Sequence, residues 1–328
     1  MSSPVYMCYL DASKAFDRLN FWVLFDQLLD RKIPIIIVRL LVYWYTHQKF
    51  YVRWGSSLSE AFAASNGVRQ GGVISPHLFN VYMDGLSDVL NNVKIGCQIN
   101  DVSFNHFMYA DDTVIISPSA IGLQKLIVLC EEYADKCDII FNVKKSKYMC
   151  IHPKSQSGLK VPQVYLNGNS IDYVSEYKYL GMILCDNNMD DSDVANQIRG
   201  LYARGNALVK HFKFCSEEIK CQLFKSFCTT FYCCHLWSNC SAESRRRLKV
   251  AHNRIFRVLM KLEHRISMSY TYLCFNIMHS SIVIRKAMNG FINRIYLSEN
   301  VLIDTIVNSD HFTCSALFQY WSKFLYVT

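Results

Sequence analysis

Tyr109-Ala110-Asp111-Asp112 is the stretch that decides the fold. Its flanks, Phe104 to Met108 and Thr113 to Ser117, are apolar, aromatic and β-branched, and the second run ends at Pro118. Such runs on either side of a short break predict a β-hairpin. Two adjacent aspartates therefore fall at the tip of an otherwise buried pattern. Like charges side by side repel and resist burial unless a cation or solvent neutralises them. Magnesium suits the position, because hard divalent cations take oxygen ligands and keep coordination sites for substrate phosphates. An isolated Asp-Asp pair more often marks an exposed turn, so the assignment needs support from elsewhere in the chain.

That support is a third carboxylate a hundred residues upstream. Val5-Tyr6-Met7-Cys8-Tyr9-Leu10 is a continuous apolar run ending in Asp11, as expected of a central strand covered on both faces. An amphipathic helix follows over roughly Ala15 to Leu29, with Phe16, Leu19, Val23, Leu24 and Leu28 at helical spacing. If the first strand lies beside the hairpin, Asp11, Asp111 and Asp112 converge. They would then hold two Mg²⁺ about 3.5–4 Å apart, the spacing that clamps both the attacking and the leaving oxygen of a phosphoryl transfer. Such chemistry rests on positioning and charge neutralisation and needs no protein nucleophile.

At this point the sequence resembles the reverse transcriptase of a non-LTR (LINE-like) retrotransposon, through five stretches in order. Leu10-Asp11-Ala12-Ser13-Lys14-Ala15-Phe16-Asp17 is similar to the family's first palm motif. Asn66-Gly67-Val68-Arg69-Gln70-Gly71-Gly72-Val73-Ile74-Ser75-Pro76, continuing through Leu78-Phe79-Asn80, is similar to the second, and Tyr109 to Asp112 to the third. Phe141-Asn142-Val143-Lys144-Lys145-Ser146-Lys147 resembles the fourth, and Tyr177-Lys178-Tyr179-Leu180-Gly181 the hairpin that grips the primer. The resemblance implies an RNA-directed DNA polymerase that adds dNTPs to a DNA primer 3′-hydroxyl on an RNA template. It implies Asp11, Asp111 and Asp112 as catalytic metal ligands and Phe16, Gln70, Gly71 and Lys145 as contacts to the nucleotide. Phe16 would pack under the incoming sugar and exclude a 2′-hydroxyl; away from the motif it would read as core. Three glycines beside Arg69 and Gln70 let backbone approach a ligand before a helix opens at about Pro76 behind an N-cap Ser75, and Arg69 is assigned to nucleic acid.

Charge is unevenly distributed. The net of +8 comprises 17 Lys+Arg against 16 Asp+Glu in residues 1–184 and 18 against 11 in residues 185–328. The basic excess thus lies in the second half, where a phosphate backbone would be held. There Arg247, Arg254, Arg257 and Lys261 share one helical face while Leu248, Ile255, Leu259 and Leu262 cover another. This suits a thumb helix tracking a duplex, although solvated basic helices are common. The looser run Leu223 to Cys228, with Tyr232 and Leu236-Trp237, also resembles the region after the palm. Of 14 cysteines the densest group is Cys228, Cys233, Cys234 and Cys240 with His235. Its spacings lack the paired ligands of a zinc site and suit small buried hydrophobes. No signal peptide is evident, and a nuclear or cytoplasmic, non-secreted protein without disulfides is expected. The apolar stretch Ile33 to Tyr45, broken by Pro34 and Arg39, is too short for a membrane span and reads as a buried helix.

The expected fold is α+β: a polymerase palm of split βαβ type, an antiparallel sheet with helices on one face, followed by a mainly helical thumb and C-terminal extension. Residues 1–184 are assigned to the palm, its body in 1–160 and a primer-grip-like hairpin region from about Val161. Residues 185–265 are assigned to the thumb and 266–328 to the extension. Because the sequence opens at the first aspartate motif, the fingers and endonuclease of the resembled family are expected to be absent. That leaves the clamp on the triphosphate incomplete, and the alternative is a catalytically inactive remnant retaining only fold and nucleic-acid binding. An intron maturase or an RNA-templated RNA polymerase would share the palm, but Phe16 and the second motif argue against either.

Overall fold

The structure is a computed structural model and describes residues 3–152 and 161–323. It divides into two compact units, one of Met1–Gln98 and Ser103–Val174, the other of Ile99–Val102 and Ser175–Thr328.

In the first unit the strand Val5–Asp11 lies at the centre of a five-stranded sheet. Across the sheet the order is Asp172–Tyr173, Lys147–Ile151, Val5–Asp11, Asp112–Ser117 and His106–Tyr109. The central strand is antiparallel to both neighbours, and only the Asp172–Tyr173 edge of this sheet pairs in parallel. Its unbroken apolar run is explained by burial on both faces. Cys8 and Leu10 enter the main core, while Tyr9 is buried elsewhere with its hydroxyl 3.7 Å from the Met149 sulfur. Helices Ser75–Asn91 and Ala120–Lys136 supply Phe79, Tyr82, Leu86 and Leu90, and Leu123, Leu126 and Ile127, to that core. Each such fully buried side chain is worth about 1.5–3 kcal/mol. Between the helices the Tyr133 hydroxyl donates to the Tyr82 carbonyl at 2.6 Å. Strand, helix, two hairpin strands, helix and strand, all sharing one sheet, make the split βαβ palm.

Two expectations need correction. The helix anticipated over Ala15 to Leu29 is two helices, Ala15–Arg18 and Phe21–Asp30. Asn20 takes an extended conformation between them, and its side chain accepts from the Trp22 and Val23 amides, so it starts a second helix rather than continuing the first. The Ile33 to Tyr45 stretch does form a helix, Ile35–His47, but not a buried one. Val38, Leu41 and Tyr45 face the core, whereas Ile36 is 70% and Leu40 65% exposed. Among the described residues no helix is long and apolar enough to cross a membrane.

The second unit begins with the hairpin Glu176–Tyr179 and Met182–Cys185 and continues as helices, of which Asp191–His211, Glu217–Cys228, Ala242–Met260 and Ser280–Tyr296 are the longest. Ser216 and Ser241 cap the second and third through their hydroxyls. Gly205 lets Asp191–His211 approach Ala242–Met260: a Cβ there would stand 2.4 Å from the Ile255 side chain. Phe224, Leu248 and Phe256 fill the core, and Cys228, Cys234 and Cys240 are buried within it as free thiols. The hairpin, grouped on sequence with the palm, shares this unit with the helices. Of the expected extension 266–328, the last five residues lie outside the described residues.

Candidate active site

Strand pairing alone brings two of the three carboxylates together. The register of Val5–Asp11 against Asp112–Ser117 sets Asp11 directly opposite Asp112, and Tyr109 opposite Asp112 on the other side leaves Ala110 and Asp111 as the two-residue hairpin loop. Directly opposed residues in an antiparallel pair lie on the same face, and like charges there are destabilising. At about 5 Å the repulsion is about 1–3 kcal/mol for an effective dielectric constant between 80 and 20. The Asp112 carboxyl accordingly titrates above its usual range, first through partial desolvation and then through Asp111 and Asp11. Ala110 takes a left-handed φ of 53°, which costs a non-glycine residue about 1–2 kcal/mol. Beside the tip, helix Ser75–Asn91 and strand His106–Tyr109 enclose an open cavity of about 640 Å³ bordered by Asn80, Asp84 and Tyr109.

The segment after Phe141 wraps the backbone of Asp11. The Asn142 amide donates to the Asp11 carbonyl at 2.8 Å, and the Asp11 amide donates to the Ser146 hydroxyl at 3.2 Å. The Asn142 side-chain oxygen in turn accepts from the amides of Lys144 and Lys145. The turn so formed directs Lys145 to the site, its Nζ 3.6 Å from Asp11 Oδ2. Lys147 is engaged elsewhere, on Asp172 at 2.6 Å and on the Lys144 carbonyl. Sequence reasoning missed Asn142 and Ser146; an Asn two residues ahead of a lysine pair was the available signal, since Asn seeds such turns.

The second-motif loop is tied to the first motif by backbone. Gly67 and Val68 donate to the carbonyls of Leu19 and Phe16, both at 2.8 Å, and Gln70 Nε2 donates to Asp17 Oδ1 at 3.1 Å. Phe16 is half-buried and stacks on Phe79 with ring centroids 4.3 Å apart, so the core role and the exposed role weighed for it are both sterically open. Arg69, Gln70 and Gly71 are exposed, and Gly71 has φ +79° with nothing near its missing Cβ. The helix behind them opens at Ser75 rather than Pro76 and has no side-chain cap, so Ser75 is its first residue and not its N-cap.

In the second unit Asp193 is fully buried, accepting from the Ile183 amide at 3.1 Å and from Trp237 Nε1 at 2.8 Å. At the hairpin tip the Tyr232 hydroxyl donates to the Leu180 carbonyl at 2.7 Å. On helix Ala242–Met260, Arg247 and Arg254 are exposed and Lys261 follows the helix end, also exposed. Arg257 differs: its Nη2 donates to the Ile266 carbonyl at 3.0 Å, and its Nε is buried without a hydrogen-bond partner.

A sheet of this topology, carrying opposed carboxylates at adjoining strand ends, defines the palm of a nucleic-acid polymerase. The chain belongs to the reverse transcriptase (RNA-dependent DNA polymerase) family, whose model matches residues 2–184. It is 32% identical over 195 residues to the Pol polyprotein of the type-2 retrotransposable element R2DM of Drosophila melanogaster, covering 54% of this chain and 17% of that protein. It is 27% identical to the RNA-directed DNA polymerase of the mobile element jockey of Drosophila funebris, over 54% of this chain and 19% of that protein. The probable RNA-directed DNA polymerase of the X-element of Drosophila melanogaster matches at 25% over 78% of this chain and 28% of its own length. These relatives are polymerases of non-LTR retrotransposons, and the chain spans less than a third of each. Among solved structures, telomerase from Candida tropicalis with a fragment of telomeric RNA aligns at TM-score 0.44 and 14% identity, over 99% of this chain and 50% of that one.

The donor set suits a hard divalent cation. Asp11 Oδ2 is buried with no hydrogen-bond donor, on the residue opposite Asp112, with one ammonium nearby as counter-charge. Among the described residues no three His, Cys, Asp or Glu side chains stand together as a ready metal cage, so in this conformation the fit is in chemistry and charge, not in a closed ligand shell.

Proposed function

We propose that this chain is the polymerase core of a non-LTR retrotransposon, transferring deoxynucleotides from dNTPs to a DNA primer 3′-hydroxyl on an RNA template in the nucleus or cytoplasm. The observation that carries the proposal is the opposition of Asp11 and Asp112, with Asp11 Oδ2 buried and without a hydrogen-bond donor. Asp11, Asp111 and Asp112 would hold two Mg²⁺, which supply charge neutralisation at the attacking and leaving oxygens. Lys145, its Nζ 3.6 Å from Asp11 Oδ2, would shift its ammonium from Asp11 to the triphosphate. Phe16, on its Phe79 shelf, would bound the sugar, while Gln70 and Gly71 approach the nucleotide and Arg69 the template. The hairpin Glu176–Cys185 would hold the primer end. Arg247, Arg254 and Lys261 would meet duplex phosphates, with Arg257 bracing the segment after the helix. Residues 185–265 then serve as thumb and 266–328 as an extension to it.

Primer extension by the purified chain on an RNA template, with Asp112→Asn as control, tests this. Mg²⁺-dependent extension abolished by the substitution supports it. Absence of extension, with Mg²⁺ titration leaving the intrinsic fluorescence and melting temperature unmoved, supports the inactive remnant instead.

A further inference from the structure

The first unit carries a second surface with its own chemistry, between the two palm motifs. From Ile33 to Ser59 there is no acidic residue, while Arg39, Lys49 and Arg53 supply positive charge. Within the same span Tyr43, Trp44, Tyr51 and Trp54 are all exposed large aromatics, Trp54 at 85%. Lys49 and Arg53 are exposed between them. The local structure holds them out: Tyr43 and Trp44 lie on the outer side of helix Ile35–His47, and Tyr43 stacks on His47 at 4.3 Å. Trp54 ends the short strand Arg53–Trp54, paired with Ser57–Leu58 around a turn at Gly55 with φ +61°. Scattered exposed hydrophobics need no explanation, but four large aromatics within 12 residues, interleaved with cations and free of acids, do.

We propose that this surface binds single-stranded nucleic acid, bases stacking on the aromatic rings and phosphates held by Lys49 and Arg53. Stacking needs a ring face open to solvent and is tolerant of sequence, and a duplex offers no free base faces along its length. Twelve residues span at most about 40 Å of chain, room for several nucleotides. The proposal rests on the polymerase function only in identifying the strand as template; the binding itself stands on the exposed residues. The neighbouring Ile36 and Leu40 make a protein partner the competing occupant, and the test separates the two.

The full chain is titrated with a 12-nucleotide RNA and with a blunt duplex of the same sequence, comparing wild type with Trp54→Ala, Trp54→Phe and the pair Lys49→Ala/Arg53→Ala. Stacking is worth about 1–3 kcal/mol per base, so Trp54→Ala is expected to weaken single-strand binding about 5- to 160-fold, and Trp54→Phe to restore most of it. The lysine–arginine pair is expected to flatten the dependence of log K on log salt by about 1.4, at about 0.7 per cation on a single strand. Duplex binding and melting temperature stay unchanged in each variant. Unaltered single-strand binding in Trp54→Ala, an equal loss for duplex, or self-association of the wild type that Trp54→Ala abolishes would each overturn the proposal. Single-strand binding sensitive to Trp54 in a chain that fails to extend primers would sink the polymerase reading and leave this one standing; primer extension by a chain whose single-strand binding is unaltered in Trp54→Ala would do the reverse.

Discussion

Replacing Gly67 by alanine tests whether the two palm motifs are held together by backbone proximity. Gly67 has φ +90°, and a Cβ built on it would stand 2.6 Å from the Asp17 carbonyl oxygen and 2.8 Å from the Asp17 Cα. The conformation costs an alanine about 1–2 kcal/mol, and displacing rigid backbone adds about 1–3 kcal/mol, as in overpacking generally. Gly71→Ala is the internal control: its φ of +79° carries the same conformational cost, but nothing lies within 4 Å of its Cβ. The expected losses are therefore about 2–5 kcal/mol for Gly67→Ala and about 1–2 for Gly71→Ala. At about 2–4 °C per kcal/mol for a unit of this size, Gly67→Ala melts some 4–20 °C below wild type. Movement of Asp17 also disturbs the Gln70 contact and the carbonyl of Phe16, so discrimination between deoxy- and ribonucleotides should relax in Gly67→Ala if Phe16 reads the sugar. Calorimetric melting of the two variants, with hydrogen exchange at the Val68 amide, gives the readout. Equal losses in both, or a Val68 amide that exchanges as slowly in Gly67→Ala as in wild type, would refute the reasoning.

Three further outcomes are expected. Asp112→Asn removes one of two opposed charges and should raise stability by up to about 1 kcal/mol at pH 7 while abolishing extension; because the Asp112 carboxyl titrates above its usual range in the fold, that gain should fade as pH falls into the usual carboxylate range and be gone below it, checked by urea unfolding at pH 4 and 7. Asp193→Ala leaves the Ile183 amide and Trp237 Nε1 without their buried acceptor and should cost about 2–5 kcal/mol, read as a lowered melting transition and faster exchange across Glu176–Cys185. His252 is fully buried, its Nδ1 2.9 Å from the Tyr272 hydroxyl and its Nε2 without a partner, and burial, then His279, hold its imidazole at about 3. A lowered folded pKa means stability is intact above pH 6.5 and is lost as pH falls from there toward 3; acid unfolding of the second unit should begin below pH 6.5, and His252→Gln should flatten that onset in a circular-dichroism titration.

The elements that sequence reading located are those whose burial is nearly complete. Val5–Asp11 and Asp112–Ser117 are central strands, so their apolar runs carry no polar interruption to confuse the pattern. Where burial is one-sided or set by distant partners, the pattern misled. Ile35–His47 has the composition of a core helix, yet its outer side is bare, and local hydropathy carries no record of what lies opposite a helix. Asn20 reads as one polar position on a helical wheel, but its side chain competes for backbone amides and ends the run. At the site, the residue types of the carboxylates were visible but their opposition was not, because register depends on pairing between residues a hundred positions apart. Ser146 was invisible as a site residue and Asn142 legible only as a turn former, since both act through the backbone of Asp11.

The distribution of backbone strain carries the site argument one step further. Eleven non-glycine residues among those described have positive φ. Four are Asn and one is Asp, types that tolerate the conformation; Lys261 directly follows a helix end, Lys32 stands two residues past one, and Lys14 precedes one. Cys233 likewise precedes the short helix Cys234–Leu236. The two that remain have no such excuse: Ala110 and Leu180. Ala110 forms the loop between the Asp112 strand and its partner. Leu180, with Gly181, forms the two-residue turn of the hairpin Glu176–Cys185. The Tyr232 hydroxyl holds the Leu180 carbonyl, and its ring comes within 2.9 Å of where a Gly181 Cβ would stand. Asn or Gly would remove about 1–2 kcal/mol of strain at each place, and both are used freely at other turns of this chain. Strain retained at one carboxylate loop and at one hairpin tip fits the general tendency of strained backbone to cluster at functional positions. It picks out both hairpins by an observation independent of the motifs that first drew attention to them.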